Sequence, residues 1–102
     1  MRRAAFATIS ALSLAAAVIS AAEAQVPSPP PGASSCSGCH PASSAVETPV
    51  ARLVGRNPAE IVTAVQAFRS GQRPATVMDR IAKGFTDDEI KAIADWYGAQ
   101  KN

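Results

Sequence analysis

Cys36, Ser37, Gly38, Cys39 and His40 are the residues of this 102-residue chain whose types and order could carry chemistry. Two thiols three residues apart on one tight turn can both reach the vinyl groups of a single porphyrin. The next residue then points its imidazole at the iron from the same side. Ser37 and Gly38 are small enough for that turn to lie against the macrocycle. The pattern C-x-x-C-H reads as covalent attachment of a c-type haem. A thioredoxin-like redox pair would need a βαβ frame, and no period-two strand pattern is present. Structural zinc needs four ligands, whereas the chain holds two Cys and one His. A disulfide closing so short a loop would stabilise little.

An iron held by His40 on one face needs its other axial position explained. Of the two methionines, one is the initiator and the other is Met78. His/Met is the ligand set of electron-transfer cytochromes, in which the soft thioether raises the potential. The competing reading makes Met78 a filler of a core gap, the usual role of a methionine. Met78 stands in a non-periodic stretch, and the remaining candidates are Lys83, Lys91, Lys101 and Tyr97. Ligation by Met78 is therefore the expectation.

The elements that must position these residues follow from the rest of the chain. Arg2 and Arg3, an uncharged Ala-rich run over 4–22, and Ala22, Glu23, Ala24 fit an export signal over residues 1–24. The rival is a membrane anchor, which the run is just long enough to form, but its many Ala, Ser and Thr residues would drive insertion weakly. Residues 25–34 are Pro-rich and read as an extended linker. Residues 35–102 are then the folded domain. Asn57 as N-cap, Pro58 at N1 and Glu60 at N3 open a helix, which Ile61, Ala64, Val65 and Phe68 continue and Gly71 stops. One or two helical turns fall between Pro74 and Gly84. Thr86 with Glu89 forms a capping box for a C-terminal helix whose apolar face is Ile90, Ile93, Ala94 and Tyr97, flanked by Trp96. The expected fold is all-α. Ile61, Val65, Phe68, Ile81, Ile90, Ile93 and Trp96 are the side chains expected to pack around the bound ring.

A net charge of +2 without a basic stripe excludes a nucleic-acid surface. No Gly-rich dinucleotide fingerprint occurs, so flavin chemistry would belong to a partner. Arg69, Arg73, Arg80 and Lys83 flank the Met78 stretch. They are either ordinary solvated surface or cations that steer an acidic partner. The acidic run Asp87, Asp88, Glu89 needs only its capping role.

From about residue 35 to residue 100 the chain resembles class I c-type cytochromes, and within them the haem subunits of flavocytochrome c sulfide dehydrogenases. The resemblance rests on Cys36, Cys39 and His40, on Asn57 and Pro58, and on Ala67, Phe68, Arg69, Ser70 and Gly71. It rests above all on the run T-V-M-D-R-I-A-K-G over 76–84, followed by Phe85, Thr86 and the helix that ends in Ala94, Asp95, Trp96 and Tyr97. It implies a small class I cytochrome c-like fold of three to four short helices around one covalently bound haem c. It implies Cys36 and Cys39 as the thioether residues, His40 as the proximal ligand and Met78 as the distal one. It further implies a periplasmic electron carrier, not an enzyme by itself, whose redox partner is an FAD-containing subunit. The alternatives are a free-standing carrier to a terminal oxidase, or a haem enzyme or sensor with an open sixth position. Two features depart from the pattern. The usual N-terminal helix shrinks to a short turn at about residues 34–39. The Pro expected shortly before the Leu53, Val54, Gly55 run is displaced to Pro49, with Ala51 nearer, so the sequence leaves open which carbonyl meets His40.

Overall fold

A computed structural model describes residues 27–101; the export-signal reading of 1–24 and the start of the linker lie outside the described residues. The described residues are all-α. In chain order they form α1 (Ala33–Cys36), α2 (Pro58–Arg69), α3 (Met78–Ile81), a 3-10 turn (Ala82–Gly84) and α4 (Asp87–Ala99). Among the described residues there is no strand, and no helix long and apolar enough to cross a membrane.

Local chemistry sets the boundaries of the two long helices. Asn57 Oδ1 accepts from the Ala59 N–H at 2.9 Å, Pro58 occupies the first turn, and Gly71, at φ 77°, turns the chain after α2. For α4 the Thr86 hydroxyl accepts from the Glu89 N–H at 3.2 Å, while the Glu89 carboxylate accepts from the Thr86 N–H at 2.8 Å. Asp87, Asp88 and Glu89 then lie beside the positive end of the α4 dipole.

The two helices pack through one close approach. A Cβ on Gly98 would lie 2.6 Å from Pro58 Cγ and 2.7 Å from the Arg56 carbonyl, so no side chain fits where α4 crosses the start of α2. Ile61, Ile93, Ala94 and Tyr97 form the buried cluster at this crossing, joined by Val54 and by Ala33 of α1. Tyr97 is the largest fully buried side chain.

Of the side chains expected around the ring, Ile81 is 43% exposed because α3 is a single turn that faces the cavity described below, whereas Trp96 does not line that cavity. Trp96 is half-buried, and its indole N–H donates to the Pro27 carbonyl at 2.8 Å. Packing also reaches into the segment read as linker. Ala33 is fully buried, and Gly32, at φ 86°, lies under Phe85, whose Cε1 would stand 2.5 Å from a Cβ there. The folded unit therefore begins before residue 35.

Candidate haem-binding site

Cys36, Cys39 and His40, chosen from the sequence as one motif, and Met78, chosen on a separate ground, all line one cavity of about 580 Å³. That volume lies inside the range of about 300–1,000 Å³ usual for cofactor and ligand sites. Its walls are mostly apolar and come from every part of the fold, including Leu53, Ile61, Val65, Phe68, Ile90 and Ile93.

The one turn of α1 positions the attachment motif. The N–H groups of Cys39 and His40 both donate to the Cys36 carbonyl, at 3.2 and 2.9 Å, so the three side chains leave one compact turn. Both cysteines are free thiols. Burial pushes the Cys36 thiol up from its ordinary value, with hydrogen bonding from Ser35 pulling it partly back. Among the described residues no strand supplies the βαβ frame that a thioredoxin-like C-x-x-C pair would need.

His40 Nδ1 is hydrogen-bonded to the Ala51 carbonyl. A carbonyl only accepts, so Nδ1 carries the proton and the lone pair is on Nε2, the tautomer a metal-binding imidazole needs. This contact answers what the sequence left open: the orienting carbonyl belongs to Ala51, not Pro49.

Met78 opens α3, lines the same cavity and is half-buried. Neither Lys83, Lys91, Lys101 nor Tyr97 lines the cavity. Lys91 instead pairs with Asp95 at 2.6 Å, and the Tyr97 hydroxyl donates to the Ala33 carbonyl at 2.5 Å. Among the described residues no three His, Cys, Asp or Glu side chains gather as a metal cluster; the cavity lining holds the His40 imidazole and the Met78 thioether beside the Cys36 and Cys39 thiols.

Over 64 residues, 63% of its length, the chain is 41% identical to the cytochrome subunit of sulfide dehydrogenase from Chlorobaculum tepidum. The resemblance is to a c-type cytochrome. The matched segment spans 58% of that relative's length, and no protein-family model matches the chain. The all-α architecture is compatible with a small cytochrome c fold.

The cytochrome-like chain also shows two roles that its sequence did not announce. Arg69, grouped above with solvated or steering cations, is instead bonded to Ala82, Phe85 and Asp87. Arg73 sits over the Phe68 ring, 4.8 Å from its centroid, and lines the cavity together with Arg56. Only Arg80 and Lys83 of that group remain simple exposed cations.

The second role belongs to Tyr97. Its hydroxyl donates to the Ala33 carbonyl and accepts from the Ser37 hydroxyl at 2.8 Å, tying α4 to both ends of the attachment turn. Burial pushes the Tyr97 phenol up, and the Ser37 hydrogen bond pulls it partly back. Because the folded-state value is raised, the stabilisation is complete below the unfolded value of about 10 and is lost as pH rises through the folded value. Tyr97→Phe is expected to cost about 1–3 kcal/mol near neutrality, since the Ala33 carbonyl loses its partner. Thermal unfolding from pH 8 to 11 should show the margin of wild type over the variant narrowing above about pH 10. A margin independent of pH would show that the phenol is not linked to folding.

Proposed function

We propose that this chain is a periplasmic, single-haem electron carrier, exported by its first 24 residues, without catalytic activity of its own. The carrying observation is that one apolar cavity is lined by two free thiols, an imidazole held in the iron-binding tautomer, and a thioether. Cys36 and Cys39 would hold the group covalently, and His40 and Met78 would bind its iron. Haem c, once bound, supplies a one-electron couple.

The chain's own residues do the rest. Ala51 orients the His40 ring through the Nδ1–H bond, which leaves Nε2 free toward the cavity. The apolar walls exclude water and keep the local dielectric low, which disfavours the more highly charged ferric state. Met78 works in the same direction. Arg56 and Arg73 place positive charge at the cavity wall, opposite in sign to the two carboxylates of the porphyrin. A sulfide dehydrogenase cytochrome subunit as relative supports an FAD-containing flavoprotein as the electron donor. The free-standing carrier to a terminal oxidase is the second reading.

Expression with the leader in a host that matures c-type cytochromes tests the assignment. A haem-staining band on a denaturing gel and an intact mass of residues 25–102 plus one haem are expected. A mass equal to the bare polypeptide would end it. Purification from the native source then separates the two carrier readings: FAD that travels with the chain supports the flavoprotein donor, and a flavin-free preparation supports the free-standing carrier.

A further inference from the structure

We propose that Arg69 is the positioning residue for the distal ligand, holding the Met78 segment against the cavity through a chain of two hydrogen bonds. This deepens the electron-carrier reading and rests on Met78 as ligand. The element that carries Met78 has little ability to hold itself. It is four residues long, its N-cap Val77 provides no side-chain hydrogen bond, and a single helical turn is unstable in isolation. Something outside it must fix its place.

Arg69, the last residue of α2, does so from a rigid twelve-residue helix. Its Nε donates to the Ala82 carbonyl at 3.3 Å, its Nη2 to the Phe85 carbonyl at 2.6 Å, and its Nη1 to Asp87 Oδ1 at 2.6 Å. Ala82 is fully buried, and its own N–H donates to the Met78 carbonyl. The path from α2 to the ligand is therefore Arg69 side chain, Ala82 peptide, Met78 peptide. The same guanidinium holds the main chain at Phe85, whose ring covers Gly32 at the entrance to α1. One side chain thus braces both the Met78 segment and the residue that packs on the attachment turn.

An isolated surface ion pair with Asp87 would contribute little. The arrangement differs because two of the three acceptors are main-chain carbonyls at the two ends of the 3-10 turn that follows α3, and the Arg69 side chain is only 29% exposed. Only a planar fork with donors on separate edges reaches all three acceptors. A lysine ammonium keeps the charge and loses that geometry.

The test compares wild type, Arg69→Lys and Met78→Ala as haem-loaded proteins, each checked by haem stain and intact mass. The readouts are the sulfur-to-iron charge-transfer band of the ferric form, the rate of CO binding to the ferrous form, and far-UV helicity. Arg69→Lys should keep its helicity, lose the band at a temperature well below its helix transition, and bind CO about tenfold or more faster than wild type. If wild type shows the band and Arg69→Lys matches it in thermal persistence and CO rate, the Arg69 proposal alone is overturned. If wild type lacks the band and behaves like Met78→Ala, Met78 is no ligand, and both the reading and the proposal built on it fall. Should Arg69→Lys not load haem, Arg69→Gln takes its place, since its single short amide cannot reach both the Ala82 and Phe85 carbonyls, and the band is expected to melt before the helices. Simultaneous melting in that variant overturns the proposal.

Discussion

A haem-loaded Met78→Ala protein is expected to bind CO readily where wild type resists it, and to show a reduction potential lower by about 0.1–0.3 V, a fraction of the roughly 0.8 V that axial ligation spans. Among the described residues Met78 supplies the only thioether on the cavity wall, and Lys83, Lys91, Lys101 and Tyr97 do not line it. Loss of the thioether removes the ligand that favours the reduced iron, so both effects have the same sign of cause. Helix content should change little, because α3 is short and the main core lies between α2 and α4. Redox titration with CO-binding kinetics checks it. An unchanged potential together with unchanged CO resistance would assign the sixth position to another group and restore the gap-filling role of this methionine.

The second large effect concerns folding. Cys36→Ala with Cys39→Ala removes covalent attachment, and the haem-free variant is expected to lose cooperative unfolding altogether. Among the described residues the buried core without the cofactor is small: eight residues, three of them alanines. Several larger apolar side chains, Val65, Phe68 and Ile81 among them, line the cavity and are not fully buried against protein. A domain of this size usually needs a staple, and a group that binds only the folded state contributes its binding energy to folding. Near-UV circular dichroism during heating should show no sharp transition in the variant and a sharp one in the haem-loaded protein. A steep, reversible transition in the haem-free chain would mean that α2 and α4 alone suffice.

The attachment motif and the helix ends were legible because they are local. C-x-x-C-H fits on one turn, and the Asn57 and Thr86 caps link residues two or three positions apart, so residue type and spacing describe them fully. Ala51, Arg69 and Tyr97 were not legible as partners. Each acts across a separation of 11 to 64 residues, on a main-chain carbonyl that any amino acid supplies. Arg69 therefore looked like one more surface cation, and Tyr97 like one more apolar position on a helix face.

By itself the sequence determined which atoms are available for chemistry and where the two long helices begin and end, since backbone capping and side-chain periodicity act within a turn or two. Only the tertiary structure decided that Cys36, Cys39, His40 and Met78 share one cavity, and which carbonyl fixes the imidazole. It also decided that the folded unit reaches back to Gly32 and Ala33. These outcomes depend on how α4 crosses α2 at Gly98 and on what that crossing brings near the ends of the chain. Close packing is a property of several distant segments at once, and no local pattern encodes it.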